Sequence, residues 1–237
     1  MSNELLILTL TALSIGFFHT LLGPDHYVPF IVMSKARNWS TGKTAWITFL
    51  CGLGHVGSSV ILGLAGIALG IAVSHLEFIE SVRGNLAAWF LIAFGFVYLI
   101  WGLRKAYRNR PHTHIHEHGD GVSHVHPHTH HDGHLHVHSE SGKKNLTPWI
   151  LFTIFVFGPC EPLIPILMYP ASYQSAGSLL WIVFVFSSAT ILTMLAAVLL
   201  LRFSIRLIPM KPLERFTHAL AGAAILLCGI AIQFLGL

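Results

Sequence analysis

Two apolar stretches of this chain carry ionisable side chains next to a Gly-Pro pair. The first has His19 followed by Gly23-Pro24-Asp25-His26, and the second has Gly158-Pro159-Cys160-Glu161-Pro162. A charged group at the centre of a bilayer costs about 2.5–3.5 kcal/mol or more, so such groups usually mark the path of an ion or a substrate. Imidazole, carboxylate and thiolate groups suit a divalent transition metal better than magnesium or calcium, which prefer oxygen ligands.

We predict a metal site built from several apolar segments. His19 and His26 are seven residues apart, a spacing that places two residues on one face of a regular helix. His55 lies in a second, glycine-rich segment, where by itself it fits either a ligand or a hydrogen bond to a neighbouring helix. Asp25 and Glu161 are the only acids that we place well inside apolar segments. The predicted metal ligands are His19, Asp25, His26, His55, Cys160 and Glu161.

A polar segment in the middle of the chain contains twelve of the 17 histidines. Its composition predicts a disordered tract that binds metal ions in many geometries, as an accessory site for capture, buffering or sensing. Metal binding by this tract does not by itself establish transport. The accessory residues are His112, His114, His116, His118, His124, His126, His128, His130, His131, His134, His136 and His138.

The composition indicates an integral membrane protein. Of the 237 residues, 54% are hydrophobic and only 10% are charged, whereas a soluble domain is about 25% charged. The three cysteines form no C-x-x-C motif, which argues against a disulfide framework or a zinc finger. The net charge of +4 comes from loops, so we expect no nucleic-acid partner. No phosphate-binding loop motif is present, and we predict neither an enzymatic reaction nor a bound cofactor.

The apolar runs predict an all-α polytopic membrane protein with six transmembrane helices. A membrane helix needs about 20 apolar residues, and the predicted spans are 5–22, 45–72, 85–104, 147–169, 176–201 and 216–236. Proline removes a backbone donor and clashes with the preceding turn, so we expect the first and fourth helices to be broken. The predicted divisions are a first three-helix repeat over 1–104, a His-rich loop over 105–146 and a second repeat over 147–237.

The basic residues predict the orientation in the membrane. Thirteen of the 14 Lys and Arg residues fall on one side of the predicted spans, and only Arg83 falls on the other. The positive-inside rule makes the basic side cytoplasmic. We therefore expect a protein of the cytoplasmic (inner) membrane with its His-rich loop in the cytoplasm and both termini outside.

The two halves of the chain align at a nearly constant offset. Gly23-Pro24 matches Gly158-Pro159 at an offset of 135, and Leu86-Ala87 matches Leu220-Ala221 at an offset of 134. Because each half has three spans, the halves must cross the membrane in opposite directions. Such a 3+3 inverted repeat with broken helices is typical of secondary transporters, whose sites lie between the halves. The alternative is that Gly-Pro kinks recur through composition alone.

The segment His19-Thr20-Leu21-Leu22-Gly23-Pro24-Asp25-His26 resembles the metal-binding motif of the nickel/cobalt transporter group of bacterial permeases. In general form the chain is most similar to the short, six-span, UreH-like urease-accessory membrane proteins. These proteins are related to the cytochrome-biogenesis thiol transporters and the lysine exporters. The resemblance implies that His19, Asp25 and His26 bind the metal.

The segment Phe157-Gly158-Pro159-Cys160-Glu161-Pro162 also resembles the Pro-Cys element of the thiol transporters, which carry electrons with one membrane cysteine per half. In the first half, Asp25 occupies the position that matches Cys160. Cys51 and Cys228 lie in other spans, away from the repeat position, while a thiol–disulfide relay requires two sulfurs that can meet.

These observations lead to one main functional prediction and two alternatives. The main prediction is a secondary permease for a divalent metal ion, Ni²⁺ or Co²⁺, with Zn²⁺ as a further candidate. Its expected partners are the lipid bilayer, the metal ion and a cytoplasmic metallochaperone. The alternatives are a membrane thiol–disulfide electron transporter and a small-molecule or anion exporter on the same scaffold. The sequence leaves the direction of transport and the oligomeric state open.

Overall fold

The computed structural model describes residues 3–108, 112–117, 123–128, 146–173, 175–206 and 211–236. Within them the chain forms eight α-helices: α1 (Asn3–Leu22), α2 (Val28–Ala36), α3 (Thr41–Ala68), α4 (Val73–Arg108), α5 (Thr147–Phe157), α6 (Leu163–Tyr173), α7 (Ala176–Arg206) and α8 (Thr217–Leu235). Short 3-10 turns lie between α1 and α2, at Pro24–His26, and directly before α8, at Lys211–Phe216.

Five of the described helices, α1, α3, α4, α7 and α8, are long and apolar enough to cross a membrane. This confirms a multi-pass helical membrane protein but not six complete spans. The predicted fourth span, 147–169, consists of α5 and α6, each with 11 residues. Each is shorter than the roughly 20 residues that a single spanning helix needs. The six-span inverted repeat therefore stays a prediction.

The break in the first helix occurs where the sequence predicts it. α1 ends at Leu22, and the Gly23 amide still donates to the His19 carbonyl at 3.0 Å. Pro24 has no amide hydrogen and cannot continue the helix. The chain instead turns at Pro24–His26, where the His26 amide donates to the Gly23 carbonyl at 3.1 Å, before α2 begins.

The third predicted span is longer than expected. α4 begins at Val73, not at residue 85, so Glu80 lies inside a helix. The side chain of Glu80 is 0% exposed, whereas Glu161 is exposed to solvent or lipid. The prediction that Asp25 and Glu161 are the only acids inside the apolar segments is therefore wrong. A hydropathy scale excludes residues 73–84 from the predicted span because it gives a buried, paired carboxylate such as Glu80 the same low value as a free one.

Helices α4 and α8 pack along each other with their backbones in contact. A methyl group on Gly95 would lie 2.4 Å from the Leu226 amide nitrogen, and one on Gly222 would lie 2.3 Å from that of Leu99. Only glycine allows this approach, which is the usual way in which membrane helices gain packing contacts. Elsewhere α1 packs on α7, and α3 packs on α5, α6 and α7.

The apolar side chains divide into an interior and a lipid-facing surface. One buried cluster contains Cys51, Phe155 and Cys228, and a second contains Cys160 and Phe186. Many large apolar side chains are exposed on the outside of the long helices, as expected for surfaces that contact lipid tails.

The described part of the His-rich loop forms two antiparallel strands, β1 (His112–Glu117) and β2 (Ser123–His128). The predicted disorder is therefore wrong for these residues. His alternates there with Thr113, Ile115 and Val125, which favour strands, and with Glu117, Ser123 and Pro127, which do not. The all-α prediction holds for the membrane helices. Of the accessory histidines, His112, His114, His116, His124, His126 and His128 lie on the strands, and His118, His130, His131, His134, His136 and His138 lie outside the described residues.

Candidate metal centre

Three histidines from separate elements converge at the first helix break. His19 comes from α1, His26 from the turn at Pro24–His26 and His55 from α3, and one ring nitrogen of each lies within 4.8 Å of the others. The Nε2 atoms of His26 and His55 are 3.3 Å apart. Two imidazole nitrogens at about 2.0–2.1 Å from one tetrahedral ion would be about 3.3–3.4 Å apart. The His26–His55 separation thus fits a hydrogen bond between the two rings, and it equally fits two ligands on one metal ion.

The surroundings of His26 determine which of its nitrogens can bind a metal. Its Nδ1 lies 3.0 Å from Asp25 Oδ1 and 3.1 Å from the Gly23 carbonyl oxygen. Both partners are acceptors, so Nδ1 carries the hydrogen and donates to them. In the neutral ring, Nε2 then presents its lone pair to the cluster. Asp25 orients His26 in the manner of the carboxylate–histidine–metal arrangement that is common behind metal ligands.

His55 and His19 complete the cluster. The His55 ring makes a hydrogen bond with the Phe155 backbone, and its Nε2 faces His26. His19 Nε2 is buried and has no hydrogen-bond partner in the part of the chain that the structure describes. A buried polar atom without a partner costs about 1–3 kcal/mol. A metal ion between the three rings would satisfy this nitrogen and use the lone pair that His26 directs inward.

The glycines of both Gly-Pro pairs contact this cluster. A methyl group on Gly23 would lie 2.5 Å from His26 Nδ1, and one on Gly158 would lie 3.1 Å from His55 Nδ1. The two helix breaks, 135 residues apart in the sequence, therefore meet at the His26–His55 pair. Glycine at these positions leaves room for the rings.

A cavity of about 580 Å³ opens beside the cluster, and His19, Asp25, His26 and Glu161 all contribute to its wall. Pro159 and Pro162 of the second break also line it. Glu161 thus shares a chamber with two of the histidines, although the described ligand cluster contains no atom of this residue. The cavity is large enough to hold a hydrated cation next to the rings.

Cys160 does not join the three histidines. Its side chain is 0% exposed and belongs to the second apolar cluster, with Phe186. Its amide donates to Ser59 Oγ and to Glu80 Oε2, both at 3.2 Å. Of the six predicted ligands, the structure places His19, His26 and His55 together, Asp25 directly behind His26 and Glu161 on the cavity wall.

A buried polar network next to the second break was not predicted from the sequence. Arg83 donates to Glu80 Oε1 at 2.5 Å, to Ser58 Oγ at 2.6 Å and to the Val156 carbonyl at 2.8 Å. Ser59 donates to Glu80 Oε2 at 3.1 Å. This network joins α3, α4 and the end of α5. The i,i+3 spacing of Glu80 and Arg83, which suits an ion pair on a helix, was the available sequence signal.

The likeness to known proteins agrees with the helical membrane architecture. Residues 27–233 match the family described as the cytochrome C biogenesis protein transmembrane region. The chain belongs to this family. It is thus a member of the superfamily that contains the cytochrome-biogenesis thiol transporters. No curated protein and no solved structure matches the chain.

The matched segment begins at Tyr27, one residue after His26. It contains His55, Cys160 and Glu161 but not the first-half motif with His19, Asp25 and His26. Family membership therefore covers the scaffold and the second break, whereas the histidine cluster depends partly on residues before the match. The resemblance to nickel/cobalt permeases and UreH-like proteins remains a prediction.

Proposed function

We propose that the chain is a secondary permease for a divalent transition-metal ion, Ni²⁺ or Co²⁺, bound by His19, His26 and His55. The observation that carries the proposal is the convergence of three ring nitrogens within 4.8 Å at a helix break. A neutral imidazole is a good ligand for nickel, copper and zinc. Asp25 holds the His26 ring in its binding orientation, and the Glu161 carboxylate would attract the cation into the adjoining cavity.

The packing of α4 on α8 supports two halves related by a pseudo-two-fold axis. At an offset of 134, Gly95 corresponds to Gly229 and Ile92 corresponds to Leu226. Position 95 approaches the Leu226 amide nitrogen, and position 229 approaches the Ile92 amide nitrogen. The contact that the first half makes with the second is therefore repeated by the second half with the first. Such a reciprocal contact is expected if the halves form an inverted repeat. Alternating access would move the halves against each other around the histidine cluster.

Transport is tested in liposomes that contain a metal-sensitive dye. The native chain, His26→Ala and His55→Ala would be compared for entry of Ni²⁺, Co²⁺, Zn²⁺ and Mn²⁺. We expect flux of one or more of the first three ions with the native chain and loss of flux in both variants. His75→Ala is the matched control, because His75 is an exposed histidine near the start of α4.

Each variant would also be made in a chain that lacks residues 112–138. This deletion separates metal capture by the His-rich loop from transport through the helices. Flux that disappears with the loop but survives His26→Ala and His55→Ala would refute the role of the cluster. The role of the cluster is supported if the chain without the loop still transports the metal and either substitution abolishes that transport.

A second candidate function follows from family membership: thiol–disulfide electron transport across the membrane. In such a relay two thiols become one disulfide and release two electrons and two protons to the next disulfide in the chain. Cys51, Cys160 and Cys228 are all free and buried. Cys51 and Cys228 belong to the same buried cluster, whereas Cys160 belongs to the other one. The Cys51–Cys228 pair is therefore the more suitable of the candidate pairs.

Cysteine substitution separates the two functions. Under the metal proposal, Cys51→Ser and Cys228→Ser retain metal flux, and His26→Ala abolishes it. Under the electron-transport alternative, the serine variants lose transfer of reducing equivalents to a disulfide substrate across the liposome membrane, and His26→Ala retains it. The small-molecule or anion exporter stays a third prediction.

A further inference from the structure

A second cavity, of about 190 Å³, lies away from the histidine cluster, between the end of α2 and the end of α7. Its polar wall consists of Ser34, Lys35, Asn38, Trp39 and Arg202. No carboxylate lines it among the described residues. Pockets for drug-sized ligands are about 300–1,000 Å³, so this volume suits a small group.

At the end of α2, amide and hydroxyl groups of the chain already donate to the backbone carbonyl oxygens near this cavity. The Trp39 amide donates to the Ser34 carbonyl at 2.9 Å, and the Asn38 amide donates to the Lys35 carbonyl at 3.3 Å. This is a Schellman motif, with Asn38 in the left-handed conformation at φ 50°. The Ser34 hydroxyl donates to the Ile31 carbonyl at 2.8 Å. The chain's own donors thus occupy these carbonyl oxygens.

The wall itself carries hydrogen-bond donors and positive charge. Trp39 is only 3% exposed, and its buried indole Nε1 has no acceptor among the described residues. Lys35 brings a cationic side chain to the rim. Arg202, itself 8% exposed, donates to the Trp39 carbonyl and to Thr41 Oγ1, so it adds fixed positive charge to the wall. An anion with several acceptor oxygens complements this wall.

We propose that this cavity binds one phosphate group, with Lys35 and the Trp39 indole as donors and Arg202 as a fixed counter-charge. The group is either inorganic phosphate or the phosphodiester of an anionic lipid headgroup, since both present the same oxygens. Basic pockets between membrane helices are typical sites for phospholipid headgroups. The site is separate from the histidine cluster and does not depend on metal transport.

The full chain in zwitterionic-lipid nanodiscs would be titrated with radiolabelled inorganic phosphate. We expect saturable binding that weakens at least about tenfold in Lys35→Gln, because a charge-assisted hydrogen bond is lost. Trp39→Phe keeps an aromatic side chain, although a smaller one, and removes the N–H, and it should weaken binding severalfold. Arg104→Gln makes the same charge change at a residue that lines a different surface pocket, and it should bind like the native chain.

A second set of nanodiscs would contain phosphatidylglycerol, with native mass spectrometry to count retained lipids. Retained lipid that displaces phosphate and is lost in Lys35→Gln identifies the headgroup as the occupant. Phosphate binding unaffected by the lipid identifies the free ion. Absence of binding in both sets overturns the proposal. So does binding that Lys35→Gln and Trp39→Phe leave unchanged, or that Arg104→Gln weakens equally.

Discussion

Removing the positive charge of Arg83 should destabilise the whole helical bundle. Arg83→Met preserves the length of the side chain but leaves the Glu80 carboxylate without a cationic partner. Glu80 is 0% exposed, and the guanidinium side chain is only 17% exposed, so little solvent can replace the lost partner. The Val156 carbonyl and the Ser58 hydroxyl would lose their donor as well.

Breaking a buried ion pair by removing one partner costs about 3–5 kcal/mol. For a chain of this length, 1 kcal/mol shifts the melting temperature by roughly 2–4 °C, so Arg83→Met should melt about 6–20 °C below the native protein. The double variant Glu80→Gln, Arg83→Met removes the unpaired charge. It should recover most of this loss, since replacing both members of a buried pair is often close to neutral.

A thiol-reactive fluorescent dye provides the assay in detergent, because Cys51, Cys160 and Cys228 are all buried and become reactive on unfolding. Glu77→Gln is the matched control, since Glu77 is an exposed acid on the same helix, and surface changes usually stay within about 0.5 kcal/mol. If Arg83→Met melts within 2 °C of the native chain, roughly the shift for 1 kcal/mol or less, the ion pair is not structurally important. A double variant less stable than Arg83→Met would refute the unpaired-charge argument.

Three further predictions concern the metal centre. Asp25→Ala should weaken Ni²⁺ binding about 10–100-fold, because His26 loses the carboxylate that orients it; equilibrium dialysis measures this. Gly23→Ala should also weaken Ni²⁺ binding in that assay, since the methyl group would lie 2.5 Å from His26 Nδ1. Nickel affinity should fall as the pH is lowered, because a protonated imidazole cannot bind metal, and dialysis at neutral and acidic pH measures the change.

All three are measured in the chain that lacks residues 112–138, so that loop histidines do not contribute. Gly42→Ala is the control for Gly23→Ala, since no atom of the described residues lies within 4 Å of the position of its methyl group. Native-like affinity in Asp25→Ala would show that the carboxylate does not support His26. Affinity that rises on acidification would exclude imidazole ligands.

One prediction tests the contact between α4 and α8. Gly222→Ala should destabilise the bundle by about 1–3 kcal/mol, because its methyl group would lie 2.3 Å from the Leu99 amide nitrogen and the helices must separate. The dye assay should then show a melting temperature lower by about 2–12 °C. Gly57→Ala, at an open position in α3, is the control. Equal melting temperatures for the two variants would contradict the close packing.

The helical membrane class and the position of the first break could both be predicted from the amino-acid sequence. Both follow from local physics: long apolar runs bury in lipid, and Pro24 cannot donate a backbone hydrogen bond. The seven-residue spacing also suggested that His19 and His26 act together. For His55, the sequence alone left a ligand and a helix–helix hydrogen bond equally open.

The arrangement of the site could be seen only in the folded protein. His55 lies against Nε2 of His26, Asp25 contacts Nδ1 of His26, and Cys160 lies apart from the histidines. These outcomes depend on how α3 and the second break pack around the first, over distances that no local pattern encodes. The same holds for Glu80, which hydropathy excludes from the bundle. Its burial becomes possible because Arg83, Ser59 and the Cys160 amide meet it in three dimensions.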